Sequence, residues 1–165
     1  NPKTAAELAS AKVTVGAGAG TKAKGASLVV PVGGGTIVVA TAVGSAHGTG
    51  SIVFAANGRK ISYDNVVVNT RTRRVTGQVA GKREVLYRVS VSSLKHTKTG
   101  ASVSATGIST SITKKSAATI NAALGTKVFK SGMKMGTVSL LVTTHKTGVK
   151  VHTTTAATTT AKSGK

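Results

Sequence analysis

The spacing of the apolar residues limits the fold more than any other feature. They come in short runs rich in valine and isoleucine: SIVFA at 51–55, KISYDNVVVN at 60–69, RVTGQVAG at 74–81, EVLYRVSV at 84–91 and TVSLLVTT at 137–144. Glycine, asparagine or a polar cluster ends each run, and β-branched side chains fit a pleated, half-buried surface better than a helix. Alternation is clearest in EVLYRVSV, where Val85, Tyr87, Val89 and Val91 share one face and Arg88 and Ser90 take the other. With two Phe, two Tyr and no Trp in 165 residues, the core must be one of aliphatic sheet residues, with Phe54, Tyr63 and Tyr87 at core positions. A chain of this length buries about 70% of its unfolded surface, enough for one domain. The expected fold is mainly β, an antiparallel sandwich or barrel-like sheet.

Thr4-Ala5-Ala6-Glu7 has the spacing of a capping box and predicts a short helix over about 4–11. Gly16, Gly18, Gly20 and Gly25 then read as a flexible joint. Residues 28–43, LVVPVGGGTIVVATAV, set two runs apolar on both faces around Gly33-Gly34-Gly35, which reads as a hairpin or tight crossover. Pro31 there points to an edge or a bulge. Asn57-Gly58 and Gly81-Lys82 look like hairpin turns, and residues 92–112 show only a weak β-pattern at 102–106. Thr113 or Ser116 can cap a second helix, about 113–124, with Ile120 and Leu124 four apart and Gly125 at its end. A strand pair follows at 137–144 and VKVHT, 149–153, turned by Thr147-Gly148. The division read from this pattern is an N-terminal helix and glycine-rich tether at 1–25, a β-rich domain at 26–153, and a Thr-rich tail at 154–165 of low complexity.

Charge is the second constraint. There are 23 Lys and Arg against 3 acids, a net +20. Such a surplus favours a polyanionic partner, although lysine also keeps β-proteins soluble and blunts strand edges. The surplus is densest around 70–74, where Arg71, Arg73 and Arg74 sit in a turn, joined by Lys82, Arg83 and Arg88 as candidate contacts for a polyanion or partner. Each guanidinium can hold a phosphate or carboxylate bidentately. Asp64 is expected to pair with Arg71, Arg73 or Arg74, and Glu84 with the strand neighbours of Arg83.

Catalysis finds little support. Glu7, Asp64 and Glu84 are far apart in sequence, so a two-carboxylate site would need long-range convergence. His47, His96, His145 and His152 lack thiolates and have few acids to complete a metal site, although His145 and His152 would face each other across the 147–148 turn. No G-x-S-x-G elbow marks a nucleophile, and the glycines at 16–20 lack the preceding strand and the Lys-Ser/Thr ending of a P-loop. The reading is of a protein that is not an enzyme and carries no cofactor. Single-strand nucleic-acid binders stack bases on aromatic side chains, which this chain spends on its core. No stretch reaches the roughly 18 continuous apolar residues of a membrane-spanning helix. No charged and apolar leader opens the sequence either, which fits Asn1 as the first residue of a mature secreted chain.

From about Gly48 to Thr143, GTGSIVFAANGRKISYDNVVVNTRTRRVTGQVAG followed by SAATINAALGTKVFKSGMKMGTVSLLV resembles a family of secreted actinobacterial β-domains related to the HtaA haem-uptake domain. The resemblance implies a secreted, mainly β fold with one packed helix. It does not carry haem binding across. The family's binding Tyr lies in an N-terminal aromatic motif absent here, and its Gly-His-Gly turn is replaced by Ala55-Ala56-Asn57-Gly58.

Two functions follow. One is a secreted, extracellular or cell-surface structural protein, the subunit of a self-assembling filament or surface layer, a homopolymer whose subunits join by β-strand addition through Leu28, Val29, Val30, Val32, Ile37, Val38 and Val39, with acidic extracellular polymers as further partners. The other is a monomeric basic module that binds nucleic acid or anionic glycan non-specifically.

Overall fold

The computed structural model describes residues 1–38, 40–99, 102–143 and 152–158. A short helix opens the chain, α1 (Pro2–Ser10), and eight strands follow before residue 91: β1 (Thr14–Ala17), β2 (Lys22–Lys24), β3 (Ser27–Val38), β4 (Val43–Gly48), β5 (Ile52–Ala56), β6 (Arg59–Asn69), β7 (Arg74–Val79) and β8 (Lys82–Ser90). Then come β9 (Lys95–Thr99), β10 (Ser102–Ile112), α2 (Lys114–Leu124), β11 (Lys134–Thr143) and β12 (His152–Thr158). All pairings among the described residues are antiparallel.

Followed from neighbour to neighbour, the pairings β3–β4–β6–β7–β8–β10–β11–β12 return to β3, so the sheet curls into a barrel-like ring. Alternate residues point inward, and Leu28, Val30, Val66, Val68, Tyr87 and Val138 face an apolar cavity of about 40 Å³. The N-terminal half of β6 leaves the ring to pair with β5, which in turn pairs with β1. Over that extension lies α2, with Ala117, Ile120 and Leu124 buried. Phe54 meets Tyr63 and Phe129 edge-on at 5.9 and 5.6 Å between ring centres, the geometry that aromatic quadrupoles favour.

The mainly β fold with a packed second helix is therefore as expected, and α2 starts and ends where its signals lie. Thr113 Oγ1 accepts from the Ser116 N–H and Gly125 closes the helix in the left-handed region. The turn Asn57-Gly58 has φ of 53° and 71°, both positive as a two-residue hairpin turn demands.

Several local expectations need correcting. Gly33-Gly34-Gly35 makes no hairpin: β3 runs straight through it, and the chain reverses between Val38 and Val43. Turn propensity yields here to pairing, because Gly35 and Gly44 lie where a Cβ would strike the carbonyl oxygens of Ser45 and Thr36. The register shift between Val32 and Gly34 is the bulge that Pro31 signalled. The second hairpin turn is Ala80-Gly81, one residue earlier than Gly81-Lys82, with Val79 opposite Lys82. Asn1, not Thr4, caps α1, and the Thr4 hydroxyl instead donates to the Lys134 carbonyl oxygen at 2.7 Å. Alternation in β8 breaks at Leu86: a register shift opposite Val75 and Thr76 leaves both Leu86 and Tyr87 buried. The glycine-rich joint contributes β1 and β2, and the weakly patterned 92–112 holds β9 and the long β10. Part of the Thr-rich tail is strand β12, whereas Val39, the 147–148 turn and residues 159–165 lie outside the described residues.

Candidate functional site

The arginines of the 70–74 turn and of β8 do converge, with help from a helix. Arg73 leaves the turn with φ of 55°, Arg74 opens β7, and Arg83 and Arg88 stand on β8. Together with Lys114 and Lys115 of α2 they line an open groove of about 1690 Å³, counting the space open to solvent. Arg71 and Lys82 are exposed and lie outside its lining.

Sequence reasoning missed the two lysines because only the packing of α2 brings them in. Thr113 N donates to the Leu86 carbonyl oxygen at 3.3 Å, and the Thr113 and Ser116 hydroxyls both donate to that of Val85, at 2.9 and 2.6 Å. The start of α2 is thereby bolted to β8. A signal was nonetheless present: two lysines directly after an N-cap, with no acid in the first turn, sit against the positive end of the helix dipole.

Charge in the groove is poorly balanced. Arg74 and Arg88 are directly opposite in the β7–β8 register, an arrangement that destabilises a strand pair. Arg83 donates to the Asn65 carbonyl oxygen and to Thr76 Oγ1, both at 3.1 Å and both neutral. Glu84 is the single carboxylate in the lining. Its Oε1 is 2.9 Å from Lys115 Nζ, and its Oε2 is buried without a hydrogen-bond partner. The expected strand-neighbour partner of Glu84 is thus replaced by a helix lysine. Asp64, expected to pair with an arginine, takes hydroxyl donors instead: the hydrogen bonds from Ser51 and then Ser62 hold its carboxyl below the usual range.

Beneath the groove Tyr63 is fully buried, and burial pushes its hydroxyl up to about 12. That hydroxyl faces Ser116 and Glu84 without a well-aligned bond to either. Burial also raises the Tyr87 phenol.

The strand residues singled out for subunit contact lie on β3. Leu28, Val30 and Val32 are buried, Val29 and Ile37 are half-buried, and Val38 is 47% exposed. Along 27–32, β3 pairs with β12 over Val32↔Thr153 to Ser27↔Thr158. Its other edge is taken by β2 and β4. Among the histidines, His47 is exposed with its ring 3.3 Å from Ser45 Oγ, and His145 lies outside the described residues. Among the described residues no three His, Cys, Asp or Glu gather into a metal site, and no helix is long and apolar enough to cross a membrane.

No protein-family model matches the chain, and no curated protein does. Among solved structures it is similar to a domain-swapped dimer of a histidine-to-alanine variant of the C-terminal domain of HtaA from Corynebacterium glutamicum. The TM-score is 0.58 at 15% identity, over 81% of this chain and 84% of that one. The likeness extends well beyond the half of the chain in which the sequence resembles that family. At such an identity it is a likeness of architecture, and the chain has the fold of an HtaA-like β-domain.

Proposed function

We propose that this chain is a secreted structural subunit that self-associates by exchanging its C-terminal strand, β12 of one copy filling the slot between β3 and β11 of the next. One observation carries the reading: β12 is the strand that closes the ring. It pairs with β11 through Thr143↔His152 to Thr137↔Thr158 and with β3 on its other side. Removing it disturbs no other pairing but leaves two unpaired edges, which template a strand from elsewhere. Main-chain hydrogen bonds to both neighbours supply the affinity of such an added strand, which suits a donor as poor in large apolar side chains as HTTTAAT.

Of the residues first read as the exchanged strand, Leu28, Val29, Val30 and Val32 then act as its acceptor, and Ile37 and Val38 lie beyond its register. The HtaA neighbour was solved as a domain-swapped dimer, and swapping an identical element is a low-cost route to association. Donation that closes gives a dimer, and donation that does not close gives a filament.

The test compares the full chain with a variant ending at residue 151. Sedimentation and negative-stain imaging in about 0.15 M and 1 M salt are expected to show assemblies far above 16.4 kDa for the full chain. The truncated variant should give none, and a peptide spanning 152–165, which fills the slot between β3 and β11 without joining copies, should bind it and leave it monomeric. A full chain that stays monomeric in both salts at high protein concentration would refute strand exchange.

A further inference from the structure

The groove between β7, β8 and α2 violates local rules in two independent places. Arg74 and Arg88 face each other across the strand pair, and Lys114 and Lys115 crowd the positive end of α2. Each costs stability. Natural sequences keep such violations where a function uses them. The net result is six cations answered by one carboxylate in one concave surface.

We infer that this groove binds a linear anionic polysaccharide, with the guanidiniums of Arg73, Arg74, Arg83 and Arg88 and the ammonium of Lys114 gripping successive carboxylates or sulfates. Arginine forks hold such planar or tetrahedral anions bidentately. The hydroxyls of Thr72, Ser111 and Ser131 also line the groove and can bond to sugar hydroxyls between the charged groups. Single-stranded nucleic acid is the poorer occupant, because its non-specific binders stack bases on aromatic side chains. Phe54, Tyr63, Tyr87 and Phe129 are all buried, and none lines the groove. Glu84 holds Lys115 and so fixes one wall, which leaves Lys114 free to turn towards the ligand. The site does not depend on strand exchange.

The experiment measures fluorescence anisotropy of three labelled probes over a series of salt concentrations: a heparin oligosaccharide, a polygalacturonate oligomer and oligo-dT of matched charge. Heparin and polygalacturonate separate sulfate from carboxylate as the recognised group. Expected is a loss of about tenfold or more in glycan affinity for R74Q/R88Q, with the salt slope falling by about 1.5, since each contact contributes about 0.7–0.9. The control R71Q/K82Q removes the same charge outside the groove and should lose less than threefold. The melting temperature of R74Q/R88Q should equal or exceed that of the parent, because facing like charges are relieved. K114Q, an exposed substitution, keeps the test decisive if the double variant folds poorly, and should weaken glycan binding severalfold. Equal losses for groove and control pairs would overturn the site. Oligo-dT binding tighter than both glycans, with the same dependence on the groove, would overturn the ligand.

Discussion

Four glycine substitutions of one kind should move stability in opposite directions, because the space beside each glycine differs. Gly77 on β7 lies against Tyr63: a Cβ added there would sit 2.9 Å from the Tyr63 Cβ and 3.3 Å from its ring, against 3.4–4 Å for ordinary contact. Tyr63 is fully buried and packed edge-on against Phe54, so it cannot swing aside. Overpacking of this sort costs about 1–3 kcal/mol. Replacing a strand glycine with alanine returns about 0.5–1 kcal/mol of chain entropy, so G77A should lose about 1–2 kcal/mol net. For a domain of this size that lowers the melting temperature by about 2–8 °C. Gly16 and Gly34 have nothing within 4 Å of the added Cβ and no positive φ, so G16A and G34A should gain about the entropy term alone. Gly44, with φ of 156° and the Thr36 carbonyl oxygen in the way, should be the most damaging of the four. Thermal melts followed by far-UV circular dichroism would read the series, at one protein concentration because association shifts the midpoint. If G77A and G16A move in the same direction, the close approach of Tyr63 does not govern this part of the core.

Alkaline pH should destabilise the fold through its buried phenols. Tyr63 is held up at about 12 from an ordinary 10, so the folded state prefers the neutral ring. That preference contributes its full stability below about pH 10 and is lost as pH rises through the folded value, at no more than about 1.4 kcal/mol per pH unit per tyrosine. Urea midpoints should match at pH 8 and 9 and drop by pH 11, less steeply in Y63F. T113A removes the cap of α2 and its bond to Val85, and should cost about 1–2 kcal/mol in the same urea assay. E84Q breaks a pair with Lys115, whose side chain is 74% exposed against 15% for Glu84, and gives the partnerless Oε2 position a neutral amide. Stability should change by less than about 1 kcal/mol, while heparin affinity rises a few fold as the groove loses its single carboxylate.

Much of the fold was legible because periodicity and turn chemistry are local. The valine runs from Ile52 to Ser90 became β5 to β8 within a residue or two, and Asn57-Gly58 turned where its positive φ is tolerated. What failed were places where a distant partner decides. Gly33-Gly34-Gly35 has the composition of a turn, but β4 pairs with Gly34 and Gly35 and pulls the segment into a continuous strand. Residues 102–112 look too polar for a core strand. Yet Ala105, Ile108 and Ile112 are buried, because β11 pairs along one side of β10 while β9 and then β8 pair along the other. The groove was half legible: the arginine-rich turn stood out, whereas Lys114 and Lys115 joined it only through bonds from Thr113 and Ser116 to β8. Asp64 was assigned an arginine partner and Glu84 the strand neighbours of Arg83 on sequence proximity, and hydroxyls and a helix lysine took those places.

The charge bears directly on the proposed strand exchange. A chain of net +20 repels its own copies, and at low ionic strength that repulsion reaches about 30 Å at 0.01 M, far enough to oppose the approach needed to pass β12 from one ring to the next. Salt shortens the reach to about 3 Å at 1 M, so assembly driven by strand pairing should strengthen with salt, opposite to the groove's hold on an anion. An anionic polysaccharide offers a second way to remove the repulsion. By filling the groove of successive subunits it neutralises them and raises their local concentration at once. Light scattering in low salt should therefore rise when heparin is added near charge equivalence, and should fall again in excess as copies spread over separate polymer chains. In R74Q/R88Q the rise with salt should persist and the rise with heparin should largely vanish. Heparin that dissolves existing assemblies of the parent chain, or that promotes assembly of the double variant equally well, would show that groove and strand exchange are not coupled in this way.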